Sequence, residues 1–299
     1  MYEKYKILIS GANGFIGKAF IDFLANSTNH MIYGLDTGTR FTQNNLTRSS
    51  YIQQDIAKKF KIDQKFDYVF HFAALNQTHI GNMHYECYYK TNVLGTEHLI
   101  DAVKCEKFVF MSTAKVYAQN GKPIDENSEL NPVADYEKSK LMAEELCKQA
   151  FKKNKLIILR PVNIAGFGQA TKALLPIIFQ QAISNKLIEV FAPQKKVLQL
   201  LYIKDVLEVF KKLLELKDVA GVFNLASKDK VSLDDLALQI IEITGSESKI
   251  NFSNLEQSVF SEIIALKAKE YLKWEPKIKI NEIIKMYYRD LLSKNNLIK

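Results

Sequence analysis

Apolar and polar positions follow two rhythms along this chain. Lys6–Ser10 is a short apolar run closed by Gly11, which predicts a buried strand. Residues 14–25 then set Phe15, Ile16, Ala19, Phe20, Phe23 and Leu24 at helical spacing, so they predict an amphipathic helix. Met31–Asp36, 51–54 and 67–72 predict further strands, and 93–104 a helix. A buried strand over 108–112, a long helix over 136–153 and a strand over 156–159 follow, ending at Arg160-Pro161. Strands alternating with helices predict an α/β fold, a doubly wound parallel sheet covered on both faces.

Beyond Pro161 the alternation loosens. Residues 174–185 predict a helix, 198–203 a strand, 205–216 a helix and 222–225 a strand. Ser232 is a suitable N-cap for a helix over Leu233–Thr244, and Gly245 a suitable stop. Two last helices, 265–272 and 281–292, flank Trp274-Glu275-Pro276. The expected organisation is a sheet domain over 1–165, to which 198–226 returns, and a smaller C-terminal substrate-binding lobe from 166–197 and 227–299. No internal repeat or low-complexity segment interrupts it.

Composition narrows the class. With 299 residues, 47% of them hydrophobic, the chain can bury a large core. No run approaches the roughly 18 apolar residues of a membrane span, so no membrane association is expected. Residues 1–6 lead straight into the first strand, which argues against a secretory leader. Three unclustered cysteines, Cys87, Cys105 and Cys147, suit a reducing cytoplasmic setting. The net charge of +8 comes from lysines scattered over helix faces; only Arg40, Arg48, Arg160 and Arg289 are arginines. A solvated lysine surface that helps gather an anionic small molecule is expected, and nucleic acid is not.

Gly11-Ala12-Asn13-Gly14-Phe15-Ile16-Gly17 leaves a strand and opens a helix. Glycines there let the backbone approach a pyrophosphate, and the helix N-terminus offers free N–H groups to it. The spacing is GxxGxxG, and an ordinary glycine turn is its bland alternative. Asp36 ends the second strand, where a carboxylate accepts from ribose hydroxyls and repels a 2′-phosphate, favouring NAD; Arg40 nearby leaves NADP open. Asp55 is placed for an adenine amino group, and His71-Phe72-Ala73-Ala74 ends a strand with small residues that leave room for a cofactor.

Tyr136 and Lys140 lie one helical turn apart on a shared face. Tyrosine ionises near about 10 and is a poor base at neutral pH. The Lys140 ammonium and a positive nicotinamide are expected to lower the Tyr136 pKa. Thr113, at the end of a strand, can hydrogen-bond a reacting oxygen.

Gly11–Gly17, Asp36, Asp55, His71–Ala74, Asn92–Thr96, Ser112–Tyr117, Tyr136–Lys140, Arg160–Asn163, Tyr202–Asp205 and Trp274–Pro276 stand in an order that resembles the extended short-chain dehydrogenase/reductase family. These are Rossmann-like nucleotide-sugar epimerases, dehydratases and reductases, and the likeness covers nearly the whole chain. The resemblance implies that Tyr136 moves a proton, Lys140 tunes it and binds nicotinamide ribose, and Thr113 orients substrate. It implies cofactor contacts from Gly11, Asn13, Gly14, Phe15, Ile16, Gly17, Asp36, Arg40, Asp55, Ile56, Phe72, Ala73, Ala74, Asn92, Tyr136, Lys140 and Pro161. Thr113, Ala114 and Asn163 are the implied substrate contacts. It also implies a homodimer through helices near 93–104 and 136–153, and a place in cell-surface polysaccharide synthesis.

Ala114-Lys115 stands where dehydratases of this family carry an acidic pair, so a 4,6-dehydratase is not expected. A 4-epimerase that retains NAD is expected, with a 4-keto-6-deoxysugar reductase using NAD(P)H as the alternative. The lobe departs from the family: Ala165 replaces a tyrosine, and Leu198 an arginine that would hold the substrate pyrophosphate. Lys195 or Lys196 is expected to supply charge by another route. His79, His84 and Cys87 are close in sequence but lack a fourth ligand, so no metal is expected. A non-catalytic dinucleotide sensor is the rival class, and the presence of both Tyr136 and Lys140 argues for an enzyme.

Overall fold

The computed structural model describes residues 4–38, 48–76, 84–190, 196–252 and 259–295. The strands are β1 (Lys6–Ser10), β2 (Met31–Asp36), β3 (Ser49–Gln53), β4 (Lys65–His71), β5 (Lys104–Met111), β6 (Leu156–Pro161), β7 (Asn163–Ala165), β8 (Ile188–Val190), β9 (Val197–Tyr202), β10 (Gly221–Leu225), β11 (Lys230–Ser232) and β12 (Ile250–Phe252). The helices are α1 (Phe15–Ser27), α2 (Tyr85–Tyr88), α3 (Gly95–Ala102), α4 (Asp135–Ala150), α5 (Leu174–Ile183), α6 (Ile203–Glu215), α7 (Leu233–Thr244), α8 (Leu266–Tyr271) and α9 (Ile280–Asn295). A π-helical turn, Tyr89–Leu94, joins α2 to α3, and a 3₁₀ turn, Ala114–Val116, follows β5.

Contacts divide the chain into two compact units. The first comprises Met1–Ala118, Glu129–Pro161 and Leu207–Phe223; the second comprises Gln119–Ser128, Val162–Val206 and Asn224–Lys299. Residues 119–128, 162–165, 198–206 and 224–226, read from the sequence as part of the sheet domain, group with the second unit by these contacts. For 198–206 the reason is β9, which pairs parallel with β7 and antiparallel with β11 instead of joining the main sheet.

The main sheet has seven strands in the order β10-β6-β5-β4-β1-β2-β3. Its β1–β2, β1–β4, β2–β3, β4–β5 and β5–β6 pairs are parallel. The order reverses at β1/β4, and in such sheets ligands bind beyond the carboxyl ends of strands at that switch point. Strands covered on both faces become continuous apolar runs, and β6 is buried at every position. One face packs Leu8, Val69, Phe108 and Ile158 against Leu99 of α3 and Ala143 and Cys147 of α4. On α1 the buried stripe is Gly17, Phe20, Ile21 and Leu24, narrower than the expected face. Phe20 meets the Phe70 and Phe210 rings edge-on, each at 4.8 Å.

The predicted helix over 93–104 is corrected at both ends. Its start is wound as a π-turn, and Lys104 already belongs to β5, paired with Lys65 of β4. β5 was hard to see because its first half, Lys104–Lys107, is charged at three of four positions and pairs as strand through its backbone.

In the second unit α7 has the expected ends: the Asp235 amide donates to Ser232 Oγ at 3.3 Å, and Gly245 closes the helix at φ 64°. The buried Gln199 side chain donates to the Ser227 and Ile263 carbonyls at 2.6 and 3.0 Å and accepts from the Ile263 amide. Trp274 Nε1 donates to the Asp205 carbonyl at 2.9 Å, and the Asp205 carboxylate accepts from the Lys277 and Ile278 amides at 3.2 and 3.0 Å. Asp205→Ala strands two amides in a site that is 5% exposed in the native protein. It is expected to cost about 2–3 kcal/mol, read as a lower urea midpoint at an unchanged slope.

Candidate active site

The glycine turn is built where no side chain fits. Gly11 sits at φ 73°, and a Cβ there would lie 2.7 Å from the Ala73 amide nitrogen. A Cβ on Gly17 would lie 2.1 Å from the Gly11 carbonyl oxygen. Gly11 thus lets β1 turn tightly beside β4, and Gly17 lets α1 press against the turn. Gly14 caps α1 with no side-chain hydrogen bond, and the first turn carries no acidic residue. That leaves a positive helix end at the sheet's switch point, a cradle that fits a pyrophosphate. Asn13 and Gly14 are exposed, and Phe15 and Ile16 half-buried.

Asp36 joins this turn directly. Its Oδ2 accepts from the Asn13 amide at 2.9 Å, and its Oδ1 from the Gly38 amide at 3.3 Å. Tyr51 of β3, which the sequence reading missed, accepts from Asn13 Nδ2 at 3.0 Å and donates to the Gly38 carbonyl at 2.6 Å. Nothing in an aromatic strand residue signals such a role before the turn and the strand are folded together. Arg40 and His79 lie outside the described residues, as does Lys195. Asp55 closes its own turn by accepting from the Ala57 amide at 2.9 Å, beside buried Ile56. Phe72, Ala73 and Ala74 are half-buried just past β4.

Beneath these residues runs a chain of buried polar side chains. Ser10 Oγ and His71 Nδ1 are 2.7 Å apart, and His71 Nε2 lies 2.8 Å from Thr96 Oγ1. Thr96 donates to the Asn92 carbonyl at 2.6 Å, so its oxygen accepts from His71 Nε2–H, and His71 Nδ1 accepts from Ser10. Burial first, and then the Lys140 charge, push the His71 pKa well down, consistent with a neutral ring. Asn92 accepts from the Leu75 amide and donates to the Leu75 carbonyl and to Ser139 Oγ. Ser139 in turn donates to the Tyr136 carbonyl at 2.7 Å. Both Asn92 amide hydrogens are therefore engaged within the protein.

Thr113 is 8% exposed and caps the 3₁₀ turn, accepting from the Lys115 amide at 3.3 Å. Ala114 is buried and Lys115 exposed. Tyr136 and Lys140 lie in the first half of α4, whose start is fixed by Glu137 accepting from the Val133 and Ala134 amides, each at 3.0 Å. Lys140 is 3% exposed, with Nζ 4.1 Å from the centre of the Phe110 ring. Burial pushes its pKa down to about 8, with Cys147 and Glu144 opposing the shift. The expected lowering of the Tyr136 pKa is not what the protein's own groups produce. Burial, then Glu137 and Tyr88, raise it well above the ordinary phenol value. Desolvation of the phenolate is the largest of these causes.

A second buried polar cluster centres on Glu144 of α4, which was missed in the sequence. Glu144, 0% exposed, accepts from Ser112 Oγ at 2.5 Å and from Arg160 Nε and Nη2 at 2.9 and 2.5 Å. Arg160 Nη1 donates to the Tyr117 hydroxyl at 2.8 Å. The available signal was a carboxylate four residues after Lys140, at a position that helical spacing buries. Pro161 ends β6 buried, and Asn163 is exposed at the start of β7 in the second unit. His84 is exposed ahead of α2, its carbonyl accepting from the Cys87 amide. Among the described residues no three His, Cys, Asp or Glu side chains could hold a metal, and no helix is long and apolar enough to cross a membrane.

Two titrations follow. An NMR titration of the Lys140 side chain is expected to show a midpoint near 8, far below solvent-exposed lysines. Burial also lowers the His30 pKa. In the folded protein His71 stays neutral and His30 takes up its proton at a lower pH than when unfolded, while the unfolded counterparts protonate below about pH 6.5. The unfolded state binds more protons in that window, so stability falls as pH drops through it. Urea midpoints measured from pH 7 to pH 5 are expected to decline, and a flat profile would contradict the lowered histidine pKa values.

The profile of the NAD dependent epimerase/dehydratase family matches residues 7–226. The chain is 26% identical over 295 residues to an uncharacterised UDP-glucose epimerase of Bacillus subtilis, covering 91% of this chain and 93% of that protein. It is 29% identical over 276 residues to a dTDP-D-glucose 4,6-dehydratase of Dictyostelium discoideum, covering 80% of this chain but only 62% of that protein's length. Among solved structures, a UDP-glucuronic acid 4-epimerase from Bacillus cereus, in complex with UDP-glucuronic acid and NAD, superposes with a TM-score of 0.84 at 25% identity, over 97% of this chain and 99% of that one. With a match across most of its length and the glycine cradle in place, the chain belongs to the NAD dependent epimerase/dehydratase family.

Proposed function

We propose that this protein is a nucleotide-sugar 4-epimerase that retains NAD. The observation that carries this reading is the sequence after Thr113. The hydride-transfer set Thr113, Tyr136 and Lys140 is complete, yet buried Ala114 and exposed Lys115 follow where elimination of water would need a carboxylic acid and a carboxylate. Dehydratases stand among the relatives, and their chemistry demands that second pair. Support also comes from the B. subtilis relative and the B. cereus structure, both named as epimerases.

The Gly11–Gly17 turn and the α1 N-terminus would hold the pyrophosphate, and Asp36 the adenine ribose. A bound dinucleotide supplies a hydride acceptor for the sugar C4–H and a donor for its return. Tyr136 takes the proton of the C4 hydroxyl and gives it back. Thr113 Oγ1 hydrogen-bonds that same oxygen and fixes its distance from the phenol. Because the buried site raises the Tyr136 pKa, the phenolate needs a nearby cation, and Lys140 supplies it while protonated, below about pH 8. Asn163 and Lys196 are proposed contacts to the nucleotide-sugar. A homodimer forms part of the reading: α4 borders a groove of about 590 Å³ where Tyr85, Pro132, Leu141 and Met142 lie together with the charged Asp135, Lys138 and Glu145.

Denaturing the purified protein is expected to release NAD(H) in stoichiometric amount. Incubation with UDP-glucose or UDP-glucuronic acid is expected to give the C4 epimer, seen by proton NMR, with no change in mass. Loss of one water would make it a dehydratase, and reversible use of added NAD(P)H on a 4-keto sugar would make it a reductase. Tyr136→Phe is expected to keep NAD and lose turnover by about a hundredfold or more. Near-normal turnover in that variant would remove Tyr136 from the mechanism.

A further inference from the structure

We propose that Glu144 is the positioning residue of this site, setting Thr113 and Lys140 against each other through Ser112 and Arg160; the proposal rests on the epimerase reading for its catalytic consequence. The geometry is that of one carboxylate tying three segments. Ser112 Oγ, from the residue directly before Thr113, donates to Glu144 Oε1 at 2.5 Å. Arg160, at the end of β6, holds both carboxylate oxygens at 2.9 and 2.5 Å. Glu144 itself sits one turn beyond Lys140 on α4. The fourth segment enters through Arg160, whose guanidinium lies 4.8 Å from the Tyr117 ring centre and donates to its hydroxyl. Tyr117 follows the 3₁₀ turn that Thr113 caps.

Stability alone does not account for this arrangement. A buried ion pair contributes little net free energy, because desolvating both charges offsets their attraction. What a two-pronged arginine–carboxylate contact does supply is fixed distance and angle. Ser112, Glu144 and Arg160 are 3%, 0% and 2% exposed, so no solvent competes for these bonds. Rotation or sliding of α4 against β5 would have to break several of them together. Epimerisation draws on that rigidity, since one proton-transfer group serves one oxygen while hydride leaves and returns, and a displacement of about 1 Å can cost a hundredfold in rate.

Glu144 also acts through space on Lys140. The groups around that ammonium are Tyr136, Glu144 and Cys147 on its own helix, His71 on β4 and the Phe110 ring on β5. Burial and a neutral His71 give the cation no support, whereas Cys147 and the Glu144 carboxylate, one turn along the same helix, do.

Two variants of the full chain test this. Ser112→Ala removes only the link to Thr113 and keeps the Glu144–Arg160 pair. It is expected to melt within a few degrees of the wild type and to bind NAD within about threefold. Its kcat should fall about tenfold, with KM unchanged. Glu144→Gln keeps the shape and removes the charge; its Lys140 titration midpoint is expected to fall below the wild-type value, with the alkaline limb of kcat moving the same way. Wild-type kcat in Ser112→Ala would overturn the positioning role, even if Glu144→Gln fails to fold. An unchanged Lys140 midpoint in folded Glu144→Gln would overturn the electrostatic one. The titration needs no substrate, so a wild-type protein inactive on every nucleotide-sugar would defeat the epimerase reading without deciding this one.

Discussion

Everything at the site depends on a steric exclusion: the turn between β1 and α1 leaves no volume for a Cβ at Gly11 or Gly17. The Gly11 backbone lies against Ala73, so the ends of β1 and β4 meet closely at the point where strand order reverses. That contact brings Ser10 within reach of His71, and the polar chain through Thr96, Asn92 and Ser139 carries the constraint on to Tyr136. The turn that offers a phosphate cradle and the helix that bears the phenol are thus parts of one hydrogen-bonded body. Each member of the chain is paired, which is the condition for a buried polar network to rigidify a structure.

The electrostatics of this body are lopsided. Its interior holds Lys140 with a lowered pKa, keeps His71 neutral and disfavours a charged Tyr136. Low dielectric makes any added charge count heavily. A site so arranged is poorly disposed to act on its own and strongly responsive to a positive charge brought beside the phenol. That responsiveness suits hydride chemistry, in which the nicotinamide becomes cationic when oxidised.

Much of the fold was legible in the chain, for reasons visible in particular residues. β1 and β2 are apolar runs with clean boundaries, and both were placed to the residue. Ser232 and Gly245 marked α7 because caps have local side-chain and backbone signatures. The parallel doubly wound sheet and the glycine turn followed from alternation and spacing. What failed to show depended on partners distant in sequence. β5 begins in charged residues that only the neighbouring strand makes extended, and β9 resembles a core strand of the main sheet although it pairs elsewhere. Tyr51 reaches the cofactor turn from another strand, and Glu144 acquires its meaning from Ser112 and Arg160, 32 and 16 residues away. The Asn92 side chain, expected among the cofactor contacts, also ties Leu75 to Ser139, a link between residues far apart in the chain.

The wide turn Tyr89–Leu94 makes the chain sensitive to length as well as to composition. A π-turn accommodates an extra residue within a helix. Deleting any one residue there would restore the regular repeat and rotate the preceding segment by about 100° relative to α3. Tyr88, buried beside Tyr136, would swing away with it, although no contact residue had been substituted. Homologous chains should therefore vary freely in residue type at exposed Lys90 while keeping the residue count between Tyr88 and Gly95 constant.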